Sequence, residues 1–589
     1  MQKPKKNYNF DPEPYRETLL KVIDEVEAAK KWSQKRFQKI LYKYPKDGNA
    51  IFSKDQVVRG YKLFVKEGIK EFRQDILDRI KMKPVRTISG VTPVTVLTKP
   101  FPCPGKCIYC PNDVRMPKSY LKDEPGAQRA ERNNFDPYLQ TYNRLLAFQN
   151  NGHNIDKVEL IILGGTWSFY PDEYQIWFLK RCFEAMNDFG KNDQRDVIAT
   201  QNLFEEADKV PNQTKEGRKR SYNELVTSVV RDKGKEFFTK SELSTWEELE
   251  EQQRLNEKAK ARCVGLVIET RPDYIDEKEV IKIRRLGATK VQIGVQSLDD
   301  KIQELNKRGH GKQETAKAFK LLRLAGFKIH AHWMPNQYGA TVKGDIADFK
   351  RLWGEEFIPD ELKIYPTSII ANTKLNDLYQ KGEYEPYSYD DLLKVLTDTM
   401  STTPRYCRLT RVIRDIPSTD IVAGNKLTNF RQIAENKLKQ EGRYCQCIRC
   451  REIKGQEVTE DELELEVIEY ATSGGIEKFI SYKTKSDDKI VGFCRLSLPY
   501  KDLSKDNFIE ELKDKAIIRE VHVYGQVVQI GKRTQGRSQH LGLGTKLVQE
   551  AEQIAKESGY EHIAVISAIG TRDYYRKLGF KLDHLYMVK

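Results

Sequence analysis

Phe101–Asp113 reads FPCPGKCIYCPND and sets Cys103, Cys107 and Cys110 in a C-x3-C-x2-C spacing. Three thiolates this close ligate metal far more readily than they form disulfides in a reduced compartment. A structural zinc takes four protein ligands, and the next cysteine, Cys182, is remote. The spacing suits a [4Fe-4S] cluster with three irons held by the protein and the fourth open to an external ligand. A zinc loop or three incidental buried thiols are the plainer alternatives.

Outward from this loop, from about Thr87 to Asp415, short β-branched runs alternate with helical ones. VELIILGG (Val158 to Gly165) reads as a buried strand, and PDEYQIWFLKRCFEAMNDFG follows as a helix between Pro171 and Gly190. CVGLVIET, KVQIGVQS, FKIHAHWMP and ELKIYPTSI repeat the pattern. Such β-α repeats predict an α/β domain whose parallel sheet carries ligands at the carboxyl ends of its strands. Together with the cysteine triplet, the pattern resembles the partial (βα)6 barrel of the radical SAM enzymes, in which S-adenosylmethionine (SAM) occupies the open iron. At the strand ends, Gly164 and Gly165 permit close backbone approach to the amino acid part of SAM. Glu269, Thr270 and Arg271 end another strand, and Gln292 and Gln296, an even number of residues apart, share a face of a third. Each alone reads equally well as a solvated loop residue or a satisfied core amide; together they line a cofactor pocket. Residues 191–261 are dense in charge and poor in apolar period, which predicts a partly mobile excursion with a helical end.

A second cysteine group, Cys445, Cys447 and Cys450 in YCQCIRCRE, sits among arginines that favour thiolates. Cys407 is the nearest other cysteine in sequence and the candidate fourth ligand of a closed zinc site bracing two domains. Unliganded thiols in a basic loop are the alternative. After Leu463 comes a hairpin pattern, FISYKTKSDDKIVGFCRLSL, and then a separate α/β domain to Lys589. There QHLGLGTKL (Gln539, His540, Leu541, Gly542, Leu543, Gly544 and onward) opens an amphipathic helix after the strand containing REVHVYG. A Gln-x-x-Gly-x-Gly turn at a helix N-terminus exposes amides to a pyrophosphate. This resembles the acetyl-CoA loop of the GNAT acetyltransferases. Tyr574 and Tyr575, in TRDYYRKLGF, lie where that family often places a tyrosine near the CoA sulfur; one of the two is expected to be a core aromatic.

The 589 residues are enough for about three domains. No apolar run reaches transmembrane length, and MQKPKKNYNF lacks the apolar centre of a signal peptide, so no membrane partner and a cytoplasmic setting are expected. Of the net charge of +15, a surplus of 10 lies in residues 1–86, where 22 Lys and Arg face 12 Asp and Glu. There KKWSQKRFQKILYKYPK interleaves aromatics with Lys31, Lys35, Arg36, Lys39 and Lys43. Phosphate neutralisation beside stacking surfaces suits RNA; a merely solvated helix face is the alternative.

The runs CPGKCIYCP, GGT, ETRPDY, VQIGVQS, RDIP, REVHVYG, QHLGLGTKL and GTRDYYRKLGF closely resemble the Elongator catalytic-subunit family over nearly the whole chain. The resemblance implies a basic tRNA-binding region (1–86), a radical SAM domain (87–415), a zinc-binding linker (416–462) and a GNAT domain (463–589). It further implies conversion of uridine 34 in tRNA anticodons to 5-carboxymethyluridine, using SAM, acetyl-CoA and an external electron donor, with thioester hydrolysis. Cys103, Cys107 and Cys110 match that family's cluster ligands, Gln539 to Gly544 its acetyl-CoA loop, and Tyr574 with Tyr575 its paired tyrosines. Self-association and assembly with Elongator-like subunits stay open. A protein-lysine acetyltransferase would leave the cysteine triplet unexplained, and a noncatalytic tRNA scaffold would need neither cysteines nor a CoA loop.

Overall fold

The computed structural model describes residues 10–48, 50–82, 87, 89–189, 191, 204, 211, 213, 217–454, 456, 458–524 and 542–589. Four helices, Arg16–Ala28, Gln34–Lys43, Lys54–Lys66 and Gln74–Ile80, form the N-terminal region. They close around Leu19, Val22, Phe37, Tyr61, Phe64 and Ile76, a core of their own. Ser33 caps the second helix by accepting the Arg36 N–H at 3.1 Å. Lys62 ties the bundle to the next domain, its ammonium donating to the Gln149 carbonyl at 2.6 Å.

The strands that follow are β1 (Thr92–Leu97), β2 (Lys157–Leu163), β3 (Arg262–Thr270), β4 (Lys290–Gln296), β5 (Lys328–Trp333), β6 (Glu361–Ile364), β7 (Ile369–Ile370), β8 (Arg408–Val412) and β9 (Ile421–Ala423). Six of them and β8 make one sheet in the order β1-β2-β3-β4-β5-β6-β8, every neighbouring pair parallel. The expected six βα units are there, and β8 adds a seventh parallel strand. β7 and β9 form a separate antiparallel ribbon.

Alternation decides what each strand shows to either side. Val158, Leu160 and Ile162 of β2 are buried in the main core beneath the covering helices, while Glu159, Ile161 and Leu163 line the barrel interior. Asp276 caps the helix Glu277–Arg285, accepting the Glu279 N–H at 2.8 Å. Gly164 shows how tight the strand ends are: a Cβ there would stand 1.9 Å from the Thr98 hydroxyl.

The described part of the charged excursion, chiefly residues 217–261, is helical and packed. Its helix Tyr222–Asp232 buries Tyr222, Leu225, Val226 and Val229 together with Phe204 and Val114, and the helix Trp246–Asn256 packs on Asp172–Asp188.

The C-terminal strands are β10 (Leu463–Thr472), β11 (Gly475–Thr484), β12 (Ile490–Pro499), β13 (Lys515–Val523), β14 (His562–Val565), β15 (Lys581–Asp583) and β16 (Tyr586–Val588). Their order is β10-β11-β12-β13-β14-β16-β15, antiparallel except for the parallel pair β13 and β14. β10, β11 and β12 include the expected hairpin. The helix Leu543–Glu557 covers this sheet.

A buried ionic seam joins the two halves. Asp360 at the amino end of β6 meets Arg519 at 2.7 Å, Arg323 at 3.2 Å and Arg495 at 3.4 Å, and Arg519 also meets Glu477 at 2.7 Å. Three arginines hold the Asp360 carboxyl far below its ordinary pKa although burial opposes them. Deleting one partner of such a cluster would strand charge in the interior, at a cost of about 3–5 kcal/mol. Gly570 also brings the halves together, since a Cβ there would lie 2.6 Å from Arg262 and 3.0 Å from the Cys263 carbonyl.

Candidate functional site

One cavity of about 870 Å³ runs through the barrel, bounded at one end by the cysteine loop and at the other by the C-terminal domain. At the carboxyl ends of the strands its wall includes Tyr109, Cys110, Tyr120, Glu269 and Gln296; at the far end it includes Glu520, His522, Tyr524, Ser567 and Tyr575. The amino-terminal face of a parallel barrel is ordinarily closed by packing. Here the second domain forms that closure and leaves the interior connected to it.

The cysteine loop is strapped down at both sides. The Ile108 N–H donates to the Asn306 carbonyl at 3.2 Å, and the Leu375 N–H donates to the Ile108 carbonyl at 2.9 Å. The Asn223 amide, from the charged excursion, bonds both the N–H and the carbonyl of Cys103 at 2.9 Å. Cys103 Sγ is 3.9 Å from the Thr166 hydroxyl, so the Gly164-Gly165-Thr166 turn adjoins the loop. Arg308 reaches Cys107 Sγ at 3.5 Å and the Gly294 carbonyl at 2.8 Å. The Cys110 thiol, hydrogen-bonded to Cys107, and the Arg308 and Arg271 charges pull the Cys107 pKa down against burial. Gly105 makes room for Arg271, whose Nη1 would be 2.6 Å from any Cβ there.

Among the described residues, the buried polar atoms without a partner at this loop include Arg271 Nη1, Gln296 Oε1, Arg308 Nε and the Tyr109 hydroxyl. Gln296 holds φ +67°, a region that costs a non-glycine residue about 1–3 kcal/mol and clusters at ligand clamps. Thiolates flanked by arginines, with unsatisfied polar atoms around them, fit an iron–sulfur cluster and a polar co-ligand. The three sulfurs do not form a group within 4.8 Å, unlike the second cysteine trio.

Below this layer the barrel interior is polar. Gln292 Oε1 accepts from His332 Nε2 at 3.0 Å and from the Lys363 ammonium at 2.5 Å. Tyr120 donates to Glu269 at 3.3 Å, and burial raises the Glu269 pKa. Burial draws Lys363 down to about 8 and keeps His330 and His332 neutral. At the amino ends of the strands Lys290 joins Glu159 (2.6 Å) and Glu361 (3.1 Å), and Lys328 joins Glu361 (3.3 Å) and Glu520 of the second domain (2.5 Å).

In the second domain, β13 and β14 diverge. Their pairing stops at Ile518 and Val565, while β13 continues to Val523 paired only with β12. The resulting gap opens into the cavity beside Ser567, Thr571 and Tyr575. At its rim Gly542, with φ +68°, starts the helix Leu543–Glu557, and Gly544 would bring a Cβ 2.9 Å from the Tyr574 hydroxyl. Tyr574 is partly exposed beside this helix start and Tyr575 is buried on the cavity wall. Gln539, His540 and Leu541 lie outside the described residues.

Cys445, Cys447 and Cys450 have sulfurs within 4.8 Å of one another. Arg431 reaches Cys450 at 3.6 Å, and the neighbouring thiols with the Arg431 charge lower the Cys447 pKa. Cys407 is not in that group; it is fully buried in the main core, and its carbonyl accepts the Ile448 N–H at 3.0 Å. Burial raises its thiol pKa.

Of the basic candidates, Lys31, Lys35, Arg36, Lys39 and Lys43 are all exposed, with Lys43 paired to Glu25. The interleaved aromatics mostly face inward: Phe37 is buried, Trp32 packs on it, and Tyr42 alone of the four in that run is exposed. Lys290, Lys328, His330, His332, Glu361 and Lys363 were not anticipated from the sequence. The signal was there: in KIHAHW, polar residues at Lys328, His330 and His332 recur with period two, which puts all three on one strand face.

A parallel half-barrel with a three-cysteine loop over its strand ends, docked to a sheet whose splayed strands receive a helix start, defines a radical SAM domain fused to an acetyltransferase domain. Residues 204–338 match the Radical SAM superfamily, 359–440 the Radical SAM C-terminal domain and 449–580 the Acetyltransferase (GNAT) family. The tRNA uridine(34) acetyltransferase of Methanocaldococcus infernus is 36% identical over 97% of this chain and 98% of its own. That of Dehalococcoides mccartyi is 38% identical over 86% and 98%, and human Elongator complex protein 3 is 33% identical over 88% and 87%. The solved archaeal Methanocaldococcus infernus Elp3 with an N-terminal deletion superposes with a TM-score of 0.66 at 36% identity, covering 85% of this chain and all of that one. The chain belongs to this family of tRNA uridine(34) acetyltransferases and Elongator complex protein 3. Among the described residues no helix is long and apolar enough to cross a membrane.

Proposed function

We propose that this protein converts uridine 34 of tRNA anticodons to 5-carboxymethyluridine, with acetyl-CoA as the carbon source, water hydrolysing its thioester to release CoA, SAM as the radical source and an external electron donor. The single observation that carries this reading is the cavity shared by both domains, which reaches from Cys110 to Tyr575. An acetyltransferase acting on protein lysines has no use for such a passage into a polar barrel. The names of the relatives point the same way.

Cys103, Cys107 and Cys110 would hold the cluster, with Gly164, Gly165, Glu269, Gln292 and Gln296 around SAM. When bound, the cluster and SAM supply hydrogen abstraction from an unactivated C–H bond, chemistry that no side chain provides. Arg308 and Arg271 balance the thiolate charge. Gln539 to Gly544 would take the CoA pyrophosphate at the start of the helix Leu543–Glu557, with Tyr574 at the rim and Tyr575 nearest the thioester. Lys31, Lys35, Arg36, Lys39 and Lys43 would contact tRNA phosphates, so binding should weaken steeply with salt. Cys445, Cys447 and Cys450 would hold zinc, which supplies structural closure at the domain junction.

The test is anaerobic reconstitution with iron and sulfide, then incubation of tRNA with SAM, reductant and acetyl-CoA labelled in the acetyl group. Label at C5 of uridine 34 is expected. Label on protein lysine, with none in tRNA, would overturn the reading.

A further inference from the structure

Among the described residues, two buried polar atoms on the acyl side of the cavity have no hydrogen-bond partner, and they belong to the two chain segments that bound the gap between β13 and β14. One is Nε2 of His522, the other Oγ of Ser567. His522 belongs to the unpaired extension of β13, and Ser567 follows the end of β14; both line the cavity.

The direction of the imidazole follows from its neighbours on the strand. Glu520 and Tyr524, two residues before and after, share its face, and both reach into the barrel: Glu520 to Lys328 at 2.5 Å, Tyr524 accepting from Arg408 at 2.7 Å. His522 therefore faces the barrel between them, its ring stacked on Phe493 at 5.8 Å and against Tyr524 at 4.5 Å. Ser567 is equally fixed. Its N–H donates to the Val565 carbonyl at 2.9 Å, and its carbonyl accepts from Arg284 at 2.8 Å. Only the hydroxyl is unspent, and burying an unspent hydroxyl or imidazole costs about 1–3 kcal/mol. Such atoms in a native cavity call for a ligand that satisfies them.

The chemistry of the pair narrows the ligand. A carbonyl oxygen accepts two hydrogen bonds, and a neutral imidazole and a hydroxyl can each donate one. Burial draws the His522 pKa down to about 4, so the ring is neutral near neutral pH and offers no ionic partner to a carboxylate. A neutral carbonyl entering from the CoA side is the matched guest. We propose that His522 Nε2 and Ser567 Oγ together bind the carbonyl oxygen of the acyl thioester and so turn its methyl group toward the barrel interior. This rests on the acetyl-CoA reading above.

Titration calorimetry with CoA and with acetyl-CoA separates the two ideas. The wild-type chain should bind acetyl-CoA more tightly than CoA. In His522→Leu and in Ser567→Ala, acetyl-CoA affinity should fall about tenfold while CoA affinity stays unchanged; His522→Gln, which keeps a donor, should recover most of the loss. Equal losses for CoA and acetyl-CoA in both variants would reduce the pair to packing groups and overturn the inference, as would no loss at all. If His522→Leu fails to fold, Ser567→Ala, one small buried atom removed, decides alone. A wild-type chain that binds CoA but shows no preference for the acetyl form overturns this inference and leaves the proposed function standing; one that binds neither overturns both.

Discussion

The chain holds two cysteine trios, one C-x3-C-x2-C and one C-x-C-x2-C, and the fold treats them differently. Cys445, Cys447 and Cys450 converge until their sulfurs lie within 4.8 Å of one another. They sit at the junction between β8 and the C-terminal domain and do not line the cavity. Cys103, Cys107 and Cys110 do not all come within 4.8 Å of one another; their loop is fixed by Asn306, Leu375 and Asn223, and Cys110 lines the cavity. A compact trio suits one tetrahedral ion; a trio on a strapped loop that opens into a cavity suits a cluster with an open face. The backbone around each trio adds to what its spacing says.

The largest effect expected from breaking this contrast is loss of all radical chemistry. Replacing Cys103, Cys107 and Cys110 together by Ala should remove iron, leave zinc in place and abolish 5′-deoxyadenosine formation, while tRNA binding persists on the N-terminal helices. Iron and zinc analysis with product chromatography reads this directly. Retained 5′-deoxyadenosine in the triple variant would end the assignment.

The reciprocal experiment should be milder. Cys447→Ala with Cys450→Ala should lose zinc and keep iron. It should also lower thermal stability, because metal binding contributes to the folded state, and Cys447 is buried in the main core. Calorimetry and metal analysis check both. Loss of iron with the zinc would mean that the trios are not independent.

Asn223 sharpens the comparison further. Its two bonds to the Cys103 backbone come from the charged excursion. Without them Cys103 keeps its thiol but loses its brace, so Asn223→Ala should retain the cluster yet shed iron to a chelator several times faster. Two exposed neutral hydrogen bonds at about 0.5 kcal/mol each sum to about 1 kcal/mol, roughly a fivefold change, which sets that scale. The rate of iron release under a fixed chelator concentration is the measurement, and an unchanged rate would make the excursion a bystander.

Much of this architecture was legible in the sequence because it rests on local periods. The alternation of VELIILGG and CVGLVIET with amphipathic helices yields the parallel sheet, and QHLGLGTKL marks the helix start at Gly542. The excursion misled because its charge outweighs its pattern. Tyr222, Leu225, Val226 and Val229 recur at helical spacing, and that apolar face docks under the cysteine loop. The passage between domains was not legible at all, since it depends on pairs such as Lys328 with Glu520 and Asp360 with Arg519, far apart in the chain. Aromatics in the N-terminal basic run read as stacking surfaces because sequence cannot say which face of a helix a small bundle will bury; Phe37 went inward.

The smallest effect concerns Cys407, expected from sequence proximity to complete the zinc site. Its backbone is next to the second trio, through the bond from Ile448 to its carbonyl, and its sulfur feels the charge of Cys447. Yet the thiol packs among apolar side chains and lies outside the converged group. Joining the trio would require its sulfur to leave that packing. Cys407→Ala should therefore keep one zinc per chain and cost about 1 kcal/mol of stability, the loss of one buried sulfur from a packed site. Metal content and a denaturant midpoint measured on the same sample separate the outcomes. Zinc lost with the cysteine would make Cys407 the fourth ligand and show that metal draws its sulfur out of the core; zinc retained leaves the second trio a three-thiol site whose fourth position is filled by another group.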